Sequence, residues 1–349
     1  HHNCRAYRLA LSPDGKRLLA SFLSNSGDRG LYCWDIAAGR QAWLNEDVFG
    51  IQSMVFTADG KILTSPWGQT VDLATGRTIE LENPPPIQAK GGVVYLDRQL
   101  SLTPDGRTLL IPRPEGVIVW DMVHGKQLRM LEGAGEDIVV MPDGKSIITN
   151  NGFLQRWDLA TGKPLWSDTF ALGHIGEVVS LAFSADGKRL ASAATDGTVR
   201  LWDATTGKPL RLWRGHMAQR PITTSAWMAA AVKTVDITAD GRQVLSADSG
   251  EHIKLWDAAT VKEARSLTLP PRENGEADRE IFHARINSNG SKAIALFGPT
   301  AGHTSKLATW DLKTGERLTC HRIESVQPQS SILAPDGRAL LSDGVLVDA

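Results

Sequence analysis

A short turn signal recurs along the whole chain and limits the folds that the sequence can adopt. Each occurrence is an Asp or Asn followed by Gly, and the first residues of these pairs are Asp14, Asp59, Asp105, Asp143, Asp186, Asp240, Asn289 and Asp336. The shortest step, from Asp105 to Asp143, is 38 residues, and the longest, from Asp186 to Asp240, is 54 residues. Such a period is typical of a unit of four β-strands and their loops. The sequence therefore predicts eight such units.

A second landmark follows each turn and marks the third strand of the unit. The landmarks are Trp34-Asp35, Val71-Asp72, Trp120-Asp121, Trp157-Asp158, Trp202-Asp203, Trp256-Asp257, Trp310-Asp311 and Val347-Asp348. Six of the eight units keep the Trp. One such pair is common by chance, whereas six at regular spacing form a specific signal.

Unit five shows the predicted strands most clearly, at residues 178–183, 189–192, 199–202 and 210–213. Gly187 and Gly197 fit the turns between them, because Gly adopts the positive φ that tight hairpins need. The strands are short and largely apolar with little alternation, which indicates sheets covered on both faces. We expect an all-β fold.

These residues and their spacing make the sequence similar to the WD-repeat β-propeller family over essentially its whole length. Gly173-His174 and Gly215-His216 match the Gly-His that often opens a family repeat, although Asn289 and Val261 depart from the pattern, as do the two Val-Asp units. The resemblance implies one all-β domain over residues 1–349, a β-propeller of four-stranded antiparallel blades. Eight blades are expected, and seven are the alternative.

The resemblance also implies how the ring would close. In this family the N-terminal segment usually supplies the outer strand of the last blade. Only six residues precede the first predicted strand here, and the last unit stops at Val347-Asp348-Ala349. We expect the chain to be incomplete at both ends and cut from a longer protein.

Charge and cysteine content narrow the classes of partner. The 38 basic and 39 acidic residues nearly cancel, so no global field favours nucleic acid or an anionic membrane. No run of about 18 apolar residues and no signal peptide is apparent. Cys4, Cys33 and Cys320 are odd in number and far apart, which argues against a disulfide framework and favours a reducing compartment such as the cytoplasm.

Unit five contains residues that a hydrolase triad would also contain: His174, Ser192 and Asp196. In the WD-repeat family the matching positions form a buried hydrogen-bond network with the third-strand Trp, here Trp202. The resemblance therefore implies a structural role for these four residues, since buried polar groups need partners. No Gly-x-Ser-x-Gly elbow accompanies them, and no catalytic residue is predicted.

The sequence predicts neither a metal site nor a cofactor. The nine histidines form no zinc pattern, and the densest cluster, His1, His2 and Cys4, is better explained by a tag, a repeat histidine or the terminus. Two units resemble the Trp-docking motif of quinoprotein propellers, at Asp35, Gly39 and Trp43 and at Asp158, Gly162 and Trp166. We interpret their extra Trp residues as packing on the outer strand.

Loop length differs between the two ends of the predicted sheets. Turns between strands one and two and between three and four are minimal, whereas the insertions fall at the opposite end, at 24–28, 83–92, 216–232, 269–283 and 298–302. Loops on a rigid scaffold commonly carry binding residues. The loop-rich face is therefore predicted to bind the partner.

The insertion at 216–232 contains the residue types that are enriched at protein interfaces. The predicted partner-binding residues are Met217, Arg220, Trp227 and Met228, with Arg272 from the next link. Trp227 covering the blade core is an equal alternative. Pro84-Pro85-Pro86 is either a recognition segment or a spacer.

The sequence thus predicts a monomeric, non-catalytic scaffold that binds a protein or peptide. Fold analogy alone does not establish that function. One alternative is a propeller enzyme of the lactonase, hydrolase or quinoprotein type. Another is a sensor domain of a larger regulatory protein.

Overall fold

The repeated turns become eight antiparallel sheets in a computed structural model of the chain. The structure describes residues 4–12, 14–24, 29–48, 51, 53–57, 59–65, 69–86, 100–135, 137–150, 154–166, 173–174, 176–216, 231–260, 262–272, 279–287, 289–299, 304–324, 332–333, 338–340 and 346–348. The chain divides into two compact units, residues 1–166 with 342–344 and residues 167–341 with 345–349.

The first unit contains four sheets, numbered one to four. Their strands are β1 (Cys4–Leu11), β2 (Arg17–Ser24), β3 (Arg29–Asp35) and β4 (Arg40–Asn45); β5 (Ser53–Phe56), β6 (Lys61–Ser65), β7 (Thr70–Asp72) and β8 (Thr78–Ile79); β9 (Ser101–Leu102), β10 (Thr108–Arg113), β11 (Gly116–Asp121) and β12 (Lys126–Glu132); and β13 (Asp137–Val140), β14 (Ser146–Asn150) and β15 (Leu154–Asp158).

The second unit contains sheets five to eight. Their strands are β16 (Val178–Phe183), β17 (Arg189–Ala194), β18 (Val199–Asp203) and β19 (Pro209–Trp213); β20 (Val232–Ile237), β21 (Gln243–Asp248), β22 (Ile253–Asp257) and β23 (Glu263–Leu267); β24 (Arg279–Ile286), β25 (Lys292–Pro299), β26 (Thr304–Asp311) and β27 (Arg317–Glu324); and β28 (Ile332–Leu333), β29 (Arg338–Leu340) and β30 (Leu346–Asp348).

Each sheet is a meander in which consecutive strands pair antiparallel, so the all-β, antiparallel prediction is confirmed. Six sheets have four strands, and sheets four and eight have three among the described residues. The shortened sheet four was not expected. Pro164 has no N–H to donate and forms only an isolated bridge with Trp157, while the side-chain amide of Gln155 donates to the Trp166 carbonyl at 3.0 Å.

A hydroxyl group two residues before the turn Asp closes most of the first hairpins. In sheet five, Ser184 Oγ donates to Asp186 Oδ1 at 2.6 Å and accepts from the Arg189 N–H at 3.0 Å. The same pair of contacts recurs at Ser12, Thr57, Thr103 and Thr238. These bonds satisfy turn groups that would otherwise need water.

The hydrophobic cores lie between successive sheets. Leu31 and Ile62 are fully buried between sheets one and two, and Leu255 and Phe297 between sheets six and seven. Sheets two, three and six each have such a core on both faces, which explains the weak alternation along their strands.

First strands of neighbouring sheets lie side by side within a unit and are joined by side chains. The Leu100 N–H donates to Ser53 Oγ at 3.0 Å in the first unit. In the second unit, the Val235 N–H donates to Ser180 Oγ at 3.1 Å, and Thr234 Oγ1 donates to the Ala284 carbonyl at 3.2 Å. These contacts fix the inner edges of consecutive sheets.

Fourth strands reach the turn between the third and fourth strands of the following sheet. Trp43 Nε1 donates to the Leu73 carbonyl at 2.9 Å. In the second unit, an Arg replaces this Trp: Arg211 donates to the Ala259 carbonyl at 2.8 Å, and Arg265 to the Thr314 carbonyl at 3.1 Å. Neighbouring sheets are therefore linked at their outer edges as well.

Candidate functional site

The candidate triad of unit five forms a continuous line of hydrogen bonds across sheet five. Trp202 Nε1 donates to Ser192 Oγ at 2.8 Å, and Ser192 Oγ lies 2.6 Å from His174 Nε2. His174 Nδ1 lies 2.8 Å from Thr198 Oγ1, which donates to Asp196 Oδ1 at 2.6 Å. We call these five residues the His174 relay.

Each group in the His174 relay has a consistent role as donor or acceptor. Asp196 can only accept when ionised, so Thr198 donates to it and accepts from His174 Nδ1–H. His174 Nε2 then accepts from Ser192, which itself accepts from Trp202. His174 is therefore neutral, with its proton on Nδ1. Asp196 lies 3.5 Å from His174 Nδ1 and acts mainly through Thr198, a residue that the sequence analysis did not single out.

Burial reinforces the neutral state of His174. The side chain is 2% exposed, and removal from water lowers its pKa to about 4, against the opposing attraction of Asp196. Ser192 is 0% exposed. A substrate therefore has no access to the Ser192 hydroxyl in this arrangement.

Sheet six contains a second line of hydrogen bonds, which the sequence analysis missed. Trp256 Nε1 donates to Ser246 Oγ at 2.7 Å, and Ser246 Oγ lies 2.6 Å from His216 Nε2. His216 Nδ1 lies 2.8 Å from Asp248 Oδ2, and His252 Nδ1 lies 3.0 Å from the same oxygen. We call these five residues the His216 relay. The Gly215-His216 pair and the Trp256-Asp257 landmark were its sequence signals.

Whether a third-strand Trp forms an indole hydrogen bond within its sheet depends on which residue stands at one position of the second strand. Trp202 pairs with Leu190 on the second strand of sheet five, and Trp256 pairs with Val244 on the second strand of sheet six. The Ser that accepts the indole hydrogen bond lies two residues after that partner in each sheet, at Ser192 and Ser246. Thr149 occupies this position in sheet four and accepts from Trp157 at 2.9 Å. In sheet three the position holds Ile111, which offers no acceptor.

The predicted partner-binding residues fall mostly outside the described part of the chain. Met217, Arg220, Trp227 and Met228 lie in 217–230, which the structure does not describe. Arg272 is described, and its side chain is 44% exposed. It forms an ion pair with Glu251, in the turn between the second and third strands of sheet six.

Glu251 holds two arginines of different exposure. Its second carboxylate oxygen lies 2.6 Å from Arg279 Nη2, and Arg279 Nη1 donates to the Pro270 carbonyl at 2.9 Å. The Arg279 side chain is only 3% exposed. Glu251 has a φ of 71°, the one positive φ at a non-glycine position in the described residues. The buried ion pair therefore stabilises an unfavourable backbone conformation.

Comparison with known proteins shows which family the sequence around the His174 relay resembles. The family model described as "WD domain, G-beta repeat" matches residues 165–203, which include the His174 relay up to Trp202. Residues 165–203 therefore match one WD repeat, and the chain as a whole is similar to WD-repeat proteins.

Three curated proteins show how far the similarity of this chain extends. Eukaryotic translation initiation factor 3 subunit I of Culex quinquefasciatus is 26% identical over 51% of the chain and 44% of that protein. Transducin beta-like protein 3 of Bos taurus is 26% identical, over 65% and 32%. Target of rapamycin complex subunit wat1 of Schizosaccharomyces pombe is 26% identical, over 50% and 51%. The chain thus spans less than two thirds of the length of these relatives.

A solved structure supports the fold over nearly the whole chain. The crystal structure of the computationally designed Ika8 protein superposes with a TM-score of 0.68 and 20% identity, and covers 99% of this chain and 96% of that one. The fold is a β-propeller built from four-stranded antiparallel blades. The number of blades in the ring remains a prediction.

The described part of the chain bears on metal binding and on membrane insertion. It contains no group of three or more His, Cys, Asp or Glu side chains arranged to hold a metal ion. It also contains no helix that could cross a membrane. Burial raises the pKa of the Cys33 thiol to about 11, so this thiol stays protonated.

Proposed function

We propose that the chain is a non-catalytic scaffold that holds a protein or peptide partner. The observation that carries the proposal is the burial of the His174 relay. The reactive residue types that could resemble a hydrolase site hold one sheet together and are closed to substrate. A nucleophile needs an accessible hydroxyl beside its base, and Ser192 is 0% exposed.

The names of the relatives support the same role. Two of the three similar proteins are named as subunits, one of an initiation factor and one of a target of rapamycin complex. A rigid set of sheets linked at inner and outer edges suits a platform that presents loops. We propose an equivalent role as an assembly subunit for this chain.

We further propose the loop-rich ends of the sheets as the binding face. Arg272 supports this, because it lies there, is 44% exposed, and is positioned by Glu251. Arg is common at interface hot spots. We include in this face, as a prediction from the sequence, the insertion with Arg220, Trp227 and Met228, which lie outside the described residues.

The first step of the test is to identify the proteins that co-purify with the full chain from its own cells. The affinity of the chain for the strongest of these partners, once purified, is then measured. Trp227→Ala and Arg272→Ala should each weaken binding, by about 2 kcal/mol for an anchoring Trp, with an unchanged melting temperature. Lys188→Ala is the control, since Lys188 is exposed at a tight turn of the opposite end. Equal losses in all three variants, or no loss in the first two, would exclude this face.

A further inference from the structure

A cleft of about 760 Å³ lies between sheets two and three, entirely within the first unit. This volume is in the range of small-ligand sites. Leu63, Leu81, Trp120 and Met122 form its apolar wall. The cleft opens beside the turn containing Asp105 and Gly106, at the end of the sheets where loop lengths predict no binding.

The Trp120 ring differs from the Trp rings of the two relays. Because Ile111 stands at the acceptor position in sheet three, no hydroxyl holds the indole N–H. Within the described residues the Trp120 indole donates no hydrogen bond and stays partly exposed. Met122 is also partly exposed beside the cleft. An aromatic face and a thioether together suit an adaptable apolar contact.

Charges at the rim of the cleft favour a cation. Its carboxylates are Asp59, Glu82 and Asp105, and its fixed cations are Lys61 and Arg107. Lys61 Nζ forms an ion pair with Asp59 Oδ2 at 2.7 Å, so these two charges cancel. This leaves Glu82 and Asp105 against Arg107, a net charge of one negative unit.

The titratable groups His124 and Asp105 do not change this net charge at the rim of the cleft. His124 also lines the cleft, and its Nδ1 lies 2.7 Å from Asp121, which neutralises it if it is protonated. The hydrogen bond from Thr103 lowers the pKa of Asp105, so that carboxylate stays ionised near neutral pH.

We propose that this cleft binds an arginine side chain of a peptide partner. The aliphatic stem packs on Met122, the planar guanidinium lies against the Trp120 ring, and Glu82 and Asp105 accept its N–H groups. Arginine is favoured over lysine because a guanidinium both stacks on an aromatic ring and donates several hydrogen bonds in a plane. The proposal rests on the scaffold function and names the chemistry of one partner contact.

The test uses the full chain labelled with ¹³C at its methionine methyl groups, six in all. The probe is acetyl-Gly-Arg-Gly-amide, and the control peptide carries citrulline, which keeps the shape but lacks the charge. The Met122 signal, assigned with Met122→Leu, should shift saturably with the arginine peptide. Met141, which is 2% exposed and does not line the cleft, should not shift.

Matched variants test the charge contribution. Glu82→Gln should weaken the arginine peptide about fivefold, as expected for one partly exposed charge pair. Glu80→Gln is the control, because Glu80 is exposed on the same segment but does not line the cleft. Equal binding of the citrulline peptide, an unchanged affinity in Glu82→Gln, or an unmoved Met122 signal would each overturn the arginine site. A partner that still depends on Trp227 would then leave the scaffold function standing.

Discussion

Trp43 on the fourth strand of sheet one donates its indole N–H to the Leu73 carbonyl of sheet two, 2.9 Å away. The same ring covers Gly76, where a Cβ atom would lie only 2.5 Å from Trp43 Cδ2. This Trp is one of two that resemble the docking motif of quinoprotein propellers. Its contacts support the interpretation as outer-strand packing, here directed at the neighbouring sheet.

Gly76→Ala should destabilise the fold by about 2–4 kcal/mol. Gly76 has a φ of +74°, which is unfavourable for Ala, and the new methyl group would meet the Trp43 ring. Combining it with Trp43→Ala should cost less than the sum of the two single changes, because the clash disappears. Urea unfolding of the four proteins measures this coupling. Strict additivity would show that Trp43 and Gly76 do not constrain each other.

Asp196→Ala should destabilise the fold by about 1–3 kcal/mol, because Thr198 Oγ1 and the Thr198 N–H both lose their acceptor. Thr198→Val should have a similar effect, since it separates Asp196 from His174. Glu177→Ala, at an exposed position, is the control. Chemical denaturation checks the series. A fully stable Asp196→Ala that had lost an enzymatic activity would contradict the structural role of the His174 relay.

The stability of the fold should fall between about pH 6.5 and pH 4 because of His174. Burial lowers its pKa in the folded state from 6.5 to about 4, so the unfolded chain binds the proton first as pH falls. The contribution is fully present above pH 6.5 and reaches at most about 3 kcal/mol. His174→Gln should flatten this part of the profile. His124→Gln, with an imidazole 67% exposed, should leave the profile unchanged.

The carboxylates of the turns change the stability of the fold at a lower pH than His174 does, so the two contributions can be measured separately. Hydrogen bonds from Ser184 and from the Lys188 N–H lower the pKa of Asp186 below 3.8. Such a group stabilises the fold above its unfolded pKa and loses that contribution as pH falls through the folded value. Wild type and His174→Gln should therefore unfold in parallel below about pH 4. Parallel curves throughout pH 4–6.5 would contradict the buried, neutral His174.

Glu251→Ala should destabilise the fold by about 2–4 kcal/mol, whereas Arg272→Ala should change stability by no more than about 0.5 kcal/mol. The first change leaves the buried Arg279 guanidinium without its carboxylate, and the second removes an exposed ion pair. Glu251→Gly should be less harmful than Glu251→Ala, because Gly tolerates the φ of 71°. Thermal unfolding compares the three. Similar losses for Glu251→Ala and Arg272→Ala would show that both pairs are structural.

Repeated local signals made much of the fold predictable. The Asp-Gly turns and Trp-Asp pairs predicted eight antiparallel units, and the structure contains eight antiparallel sheets. The hydroxyl two residues before the turn, as at Ser184, is also a short-range pattern and could have been found from sequence. The single domain over residues 1–349 remains a prediction.

Contacts that depend on register could not be read from sequence. A bulge just before Trp202 and Trp256 shifts the pairing of third and fourth strands, and no residue pattern marks this shift. The His216 relay uses Asp248 at a strand end, whereas the His174 relay uses Asp196 in a turn. One spacing rule therefore cannot find both.

At Glu251 an ion pair with a distant residue stabilises a backbone conformation that the local sequence does not predict. Turn chemistry would place Gly at a positive φ, yet Gly250 lies one residue earlier. The ion pair with Arg279, 28 residues away, holds Glu251 in that conformation. Sequence patterns do not reveal such a partner.

The hydroxyl-closed hairpins have a consequence for the order of folding. Their bonds join residues at most five positions apart, as between Ser184 and Arg189. Contacts of such short sequence separation cost little loop-closure entropy and can form early. The five sheets with such a hairpin can therefore form it before the neighbouring sheets fold. An insertion in a later link then leaves these hairpins intact, and the chain can gain new loops without losing the ability to fold.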